Sequence, residues 1–386
     1  MLLWIMIFTF VTISAGAAFF YLASCMSRFY FIQKITNNRR GVKFASGAAI
    51  VLIITVALWL VWDTVNAVIC LLHLAVFFLI CDFIFFIVRE VLKKHTSPEK
   101  LKKLLPRLRN IFGAAAIVIT IVYLSFGYIL AHRVWQKNYV IKTDKKVGNI
   151  KIALIADSHI GTTFDSVGFA KNLETISLQK PDILIIAGDF ADEGTSKKEM
   201  IKACRALGKF PAPHGVYFVF GNHDKGKYSG NRRGYDGDDL KSELLKNNVT
   251  VLEDESALID NRFYIIGRQD ASEITDFGGT RANMSSLLEN LDKSKYLIVV
   301  DHQPRDYAAQ SESGADLVLS GHTHGGQMLP IMQILNLTGL GGNDNIYGKT
   351  VINSTDFIVT SGISDWAIQF KTFCRSEYVI INIKEK

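Results

Sequence analysis

Five short apolar runs in the second half of the chain each end in residues that can donate to a metal ion. Asp157-Ser158-His159 follows the run 151–156, and Gly188-Asp189 follows 182–187. Gly221-Asn222-His223-Asp224 follows 216–220, Asp301-His302 follows 296–300, and Gly321-His322-Thr323-His324 follows 317–320. Five of the chain's nine histidines fall at these junctions, a placement that chance does not explain. The donors are carboxylate, imidazole and amide, without thiolate. Such a set suits divalent ions such as manganese, iron or zinc and is unlike a structural zinc cage. Two carboxylates, four histidines and an asparagine are too many for one ion and about right for two. Two ions about 3.5–4 Å apart can clamp the attacking and leaving oxygens of an in-line displacement at phosphorus.

The elements that must position these residues alternate. Helix-like segments 166–179 and 196–209 lie between the early apolar runs, and such alternation indicates an α/β layer with buried strands. Ligand sites of open α/β sheets form past the carboxyl ends of the strands, where the junctions lie.

The ordered set Asp157-x-His159, Gly188-Asp189, Gly221-Asn222-His223-Asp224, His302 and Gly321-His322-x-His324 resembles the calcineurin-like metallophosphoesterase superfamily over roughly residues 150–386. The run 321–327 and the tail around Ser361-Gly362-Ile363 further resemble its transmembrane or exported bacterial phosphodiesterase branch. The resemblance implies an α/β fold, with four N-terminal transmembrane helices followed by a metallophosphoesterase β-sandwich flanked by helices. It also implies phosphoester hydrolysis by a hydroxide activated between two metals. Asp157, His159 and His324 would hold the first metal, Asn222, His302 and His322 the second, and Asp189 would bridge them. His223 would contact phosphate and protonate the leaving oxygen, with Asp224 orienting its ring or serving as a turn cap. Asp192 would support the bridging loop or stand exposed. Protein phosphatases of the superfamily carry GDxxDRG, whereas Glu193 stands here in place of the phosphate-binding arginine, which argues against a phosphoprotein substrate. A non-catalytic sensor on the same scaffold is the competing reading; its signature would be a missing ligand, and none is missing.

The chain has 386 residues, 49% hydrophobic and 20% charged, with 7 prolines, which excludes a disordered or collagen-like protein and suggests two or three domains. The net charge of +7 divides unevenly. Residues 1–150 hold 18 Lys and Arg against 5 Asp and Glu, and the remainder holds 25 against 31. The basic character therefore lies in the apolar half, and nucleic acid is not an expected partner of the acidic remainder. About 20 apolar residues span a bilayer, and the runs 1–24, 44–62, 64–88 and 112–131 meet or nearly meet that length. Trp62-Asp63-Thr64 reads as a tight hairpin. Asp82 reads either as an intramembrane ion site or as a boundary residue paired with Arg89.

The segments 25–43 and 89–111 carry 13 cations and lie on one side if four helices cross. By the positive-inside rule that side is cytoplasmic, which puts the catalytic domain outside the cell membrane. The expected organisation is a four-helix transmembrane region 1–131, a basic linker 132–149 and a catalytic domain 150–386. The apolar segment 328–337 reads as a loop packed over the sheet or as a lid meeting acyl chains of a lipid-linked substrate. The five cysteines have no CxxC spacing, so they give neither a zinc site nor a disulfide framework.

Overall fold

The computed structural model describes residues 2–329, 331–339 and 341–386. Pro330, and the side chains of Ile331, Met332 and Leu335 in the apolar segment expected as loop or lid, lie outside the described residues. The chain divides into two compact units, Met1–Phe126 and Gly127–Lys386.

The first unit is helical: α1 (Leu2–Ser27), a short α2 (Tyr30–Ile35), α3 (Arg40–Val61), α4 (Thr64–His95) and most of α5 (Pro98–His132). α1, α3, α4 and α5 contain stretches long and apolar enough to cross a membrane. The helices pack closely where side chains are small. A Cβ on Gly47 of α3 would meet the Ala23 carbonyl of α1, a close helix approach typical of membrane interfaces. The hairpin expected at 62–64 is present: Asp63 caps α4, its Oδ1 accepting from the Asn66 amide at 2.9 Å. The basic segment 89–111 is mostly helix, the ends of α4 and α5. One expectation, the partner of Asp82, changes. Asp82 pairs with Arg28, just past the end of α1, at 2.7 Å and accepts from the Tyr21 hydroxyl of α1 at 2.9 Å, while Arg89 pairs with its neighbour Glu90. The seven-residue spacing from Asp82 to Arg89 exceeds the i,i+4 reach of a helix, and the turn after α1 supplies the cation instead.

The second unit is a sandwich of two six-stranded sheets. Its strands are β1 (Trp135–Thr143), β2 (Ile150–Ile155), β3 (Ile183–Ala187), β4 (Val216–Val219), β5 (Val249–Val251), β6 (Glu255–Ile259), β7 (Phe263–Gly267), β8 (Tyr296–Val300), β9 (Leu317–Ser320), β10 (Gly348–Ile352), β11 (Thr355–Val359) and β12 (Glu377–Glu385). One sheet runs β1-β12-β2-β3-β4-β5 and the other β10-β11-β9-β8-β7-β6. The central strands are apolar along their length because both faces are covered. Ile152, Leu154, Ile183 and Ile185 face Phe263, Ile298, Leu317 and Leu319 between the sheets. The alternate residues Ala153, Ile155, Leu184 and Ile186 pack outward, in a core with Phe169, Met200 and Leu240 from α6 (Ser166–Ser177), α7 (Lys197–Leu207) and α8 (Gly237–Lys246). Asp165, Ser196 and Asp236 cap these three helices with side-chain oxygens.

Residues 132–149, read from their charges as a linker, instead supply β1. All nine of its residues pair in parallel with β12, adding an edge strand to the sheet across a separation of 242 residues. Cation spacing does not register strand pairing, which depends on a partner at the far end of the chain.

Candidate metal centre

The sheet topology brings the five junctions to one edge of the sandwich. β2, β3 and β4 run parallel in one sheet and β8 and β9 in the other, so the residues following each strand emerge together. Two groups of side chains converge there: Asp157 with His159 and His324, and Asp189 with His302 and His322. Within each group the potential ligand atoms lie within 4.8 Å of one another. Asp189 Oδ2 links the groups, 3.1 Å from His302 Nε2 of its own and 3.8 Å from His159 Nε2 of the other. The seventh residue, Asn222, places its Oδ1 2.9 Å from His322 Nδ1.

The backbone at this edge is unusual. Asp157, His159, Asp189, His322 and His324 all have positive φ, between 37° and 72°. Non-glycine residues seldom adopt this region, and outliers that cluster are held by their surroundings, commonly at functional sites. Glycines make room beside them: a Cβ on Gly321 would lie 2.7 Å from Asp157 Oδ2, and one on Gly221 would overlap the Asp189 carboxylate and amide.

Buried polar groups here lack the partners they need. Both ring nitrogens of His159, Nε2 of His302 and Oδ2 of Asp157 are buried and make no aligned hydrogen bond among the described residues, although carboxylates of Asp189 and Asp192 approach the two rings. Such orphans are costly unless a ligand, ion or water satisfies them. The donor chemistry and these unpartnered atoms fit divalent metal ions. Other contacts fix ring orientations in the way metal-site histidines require. His302 Nδ1 meets the Ala187 carbonyl at 2.7 Å, and His324 Nδ1 meets the Ser364 carbonyl at 3.3 Å.

The electrostatics are those of a site poised for cations. Burial opposes a charge on His302, but Asp189 and Asp157 outweigh it and raise the ring well above its ordinary value. Burial, followed by neighbouring cationic groups, depresses His322 to about 3 and His324 well below the usual range, which leaves neutral imidazoles. Burial lowers His223, but the carboxylates of Asp189, Glu193 and Asp192 outweigh it and push the ring up to about 9.

His223 and Asp224 separate in role. Asp224 does not orient the His223 ring. Its Oδ2 accepts from the amides of Asp189 at 2.8 Å and Gly221 at 2.7 Å, and its Oδ1 from Ala191 at 2.9 Å. It is a clasp joining the loops after β3 and β4. The ring is held by Glu193, whose Oε1 lies 2.8 Å from His223 Nδ1. Adjacency in sequence pointed to Asp224; the fold turns its carboxylate inward and brings Glu193 across from 30 residues away. Glu193's one visible signal was its charge at a position where related enzymes carry arginine. Asp192 is buried, accepts from the Gly194 and Thr195 amides, and lies 3.5 Å from His159 Nδ1.

Residues 150–326 match the family described as calcineurin-like phosphoesterase. The chain is similar to an uncharacterized metallophosphoesterase of Campylobacter jejuni, 29% identical over 72% of this chain and 71% of that protein. It is also similar to one of Aquifex aeolicus, 28% identical over 69% of this chain and 98% of that protein. A transmembrane protein with metallophosphoesterase domain from Bos taurus is 27% identical over 73% of this chain, which spans 63% of the bovine protein's length. Residues 150–326, which carry the edge of converging histidines and carboxylates, match a calcineurin-like phosphoesterase domain, and with relatives named metallophosphoesterases they support a phosphoester hydrolase activity.

Proposed function

We infer that the protein is a membrane-anchored phosphodiesterase or pyrophosphatase whose site takes two divalent ions. Asp157, His159 and His324 hold one ion, Asn222, His302 and His322 hold the other, and Asp189 is shared. The observation that carries this reading is the convergence of two three-residue groups, the Asp189 carboxylate of one also approaching His159 of the other. When bound, a pair of divalent ions supplies Lewis-acid charge for the phosphoryl oxygens and lowers the pKa of water to about 7. The chain's own residues do the rest. Asp224 fixes the loops that carry Asp189 and Asn222. Glu193 engages His223 at Nδ1, which leaves Nε2 to hand a proton to the leaving oxygen.

The substrate proposed is a phosphoester or pyrophosphate linked to a lipid and reached from the membrane surface. Support comes from the four apolar helices and from Leu329, Ile334 and Leu337, which stand exposed in the segment following the Gly321–His324 block. Nucleic acid is a poor match for a region holding more acidic than basic residues. The cation asymmetry of the helical half supports an extracytoplasmic catalytic domain. Labelling of a cysteine introduced by Lys293→Cys with an impermeant maleimide in intact cells tests the orientation. Protection until lysis would reverse it.

The full chain in detergent, loaded with manganese, is expected to hydrolyse bis-p-nitrophenyl phosphate and to turn over micellar lipid phosphoesters faster than soluble ones. Turnover confined to soluble esters would remove the lipid assignment and leave the hydrolase.

A further inference from the structure

Behind His324 lies a buried ion pair that the hydrolytic scheme does not use. Lys371 and Asp365 are both fully buried, and Lys371 Nζ lies 3.2 Å from Asp365 Oδ1. The ammonium also donates to the carbonyls of Ser361 at 2.7 Å and Ser364 at 3.3 Å. Of the three N–H donors of a lysine, two thus have carbonyl receivers on one short turn, residues 361–365, and the Asp365 carboxylate of the same turn faces the ammonium as its counter-charge. That turn follows β11 at the same edge as the metal-site junctions. Its Ser364 carbonyl is the group that faces His324 Nδ1.

A pair of this kind is a poor device for stability alone. Taking two charges out of water carries a large desolvation penalty, and apolar replacements of similar volume are often neutral or better. The surroundings give it a mechanical purpose. Lys371 is fixed at its backbone, its amide donating to the Gly127 carbonyl at 3.0 Å near the end of α5. The turn is fixed to the site, the Ile363 amide donating to the Ala156 carbonyl at 2.9 Å, next to Asp157. Cys374 Sγ donates to the His324 carbonyl at 3.0 Å, and Gly325 has no room for a Cβ beside Ser361 and Cys374. Segment 361–376 therefore forms a strap around the back of His324, and the Lys371 side chain ties it together.

We propose that Lys371 is a positioning residue for the metal centre: it gathers the 361–365 turn so that the Ser364 carbonyl sets the ring of His324, with Asp365 as its counter-charge. The proposal rests on the assignment of His324 as a metal ligand. Metal-site histidines owe ring orientation and basicity to the group on their other nitrogen, and losing such a group typically costs 10–100-fold in metal affinity or activity.

The test uses the full chain in detergent with manganese titrated by equilibrium dialysis and metal counted per chain, alongside thermal unfolding. Lys371→Met is expected to weaken one of the two manganese sites about 10–100-fold and leave the other unchanged, with kcat recovering at high manganese. Because Lys371→Met leaves Asp365 buried without its partner, the double variant Lys371→Met/Asp365→Leu is the decisive one. It is expected to recover the melting temperature while keeping the metal defect. Two manganese ions held by the double variant at wild-type affinity would overturn the proposal. His324→Ala separates the underlying reading: retention of both ions at full affinity in that variant would remove His324 as a ligand, and the role of Lys371 would fall with it.

Discussion

Glu193 Oε1 sits 2.8 Å from Nδ1 of His223, across 30 residues of chain and from the neighbouring strand's loop. A carboxylate in that place fixes the ring and keeps a proton on it. His223→Ala is expected to lower turnover about 10²–10⁴-fold on alkyl phosphodiesters, the range of positioned acid catalysis. The loss should be much smaller on p-nitrophenyl esters, whose leaving group needs little protonation. Glu193→Gln should follow the same ordering with a smaller amplitude. Steady-state kinetics over a leaving-group series measures both, and an equal loss on every ester would rule out the acid role.

Asp224 joins two loops through three backbone amides. Asp224→Ala would leave those buried donors unpaired, at about 1–3 kcal/mol each. A large fall in the thermal midpoint is expected, together with loss of bound metal. A variant that melts like the wild type would show that water or another group replaces the clasp.

Removing the shared carboxylate or the lone amide tests the ligand set directly. Asp189→Ala and Asn222→Ala should each bring manganese-dependent hydrolysis of bis-p-nitrophenyl phosphate to background. Asp189→Ala should affect both ions and Asn222→Ala only one, as read by metal content. Undiminished turnover in either variant would refute the proposed ligation.

Gly221 lies where any side chain would collide with Asp189. Gly221→Ala is expected to displace that carboxylate and to weaken metal binding, with an overpacking cost of about 1–3 kcal/mol. Manganese titration and thermal unfolding should therefore both shift. Wild-type manganese affinity in this variant would mean that the loop adjusts freely.

In the helical unit, Asp82 is tied to Arg28 and Tyr21. This contact gives Asp82 a structural use without an ion pathway. Asp82→Asn should leave hydrolysis within about twofold of wild type while lowering the thermal midpoint in detergent, since Arg28 then loses its partner charge. A loss of turnover at an unchanged midpoint would give Asp82 a part in the reaction.

Much of this protein is written in short stretches of its sequence. Four apolar runs specify helices of membrane length because burial in lipid depends on local composition and length. Five apolar runs ending in Asp, Asn and His specify buried strands with donors at their carboxyl ends, since strand and junction are contiguous. What depends on distant partners was decided by the fold. The pairing of β1 with β12 turns an apparent linker into sheet. Packing turns Asp224 away from its neighbour and gives His223 to Glu193. It also encloses Lys371 behind His324 and brings Arg28 beside Asp82. Residue type and spacing set which atoms are able to react; which of them meet is set by the pairing of strands and the burial of charges across tens to hundreds of residues, and no local pattern encodes that.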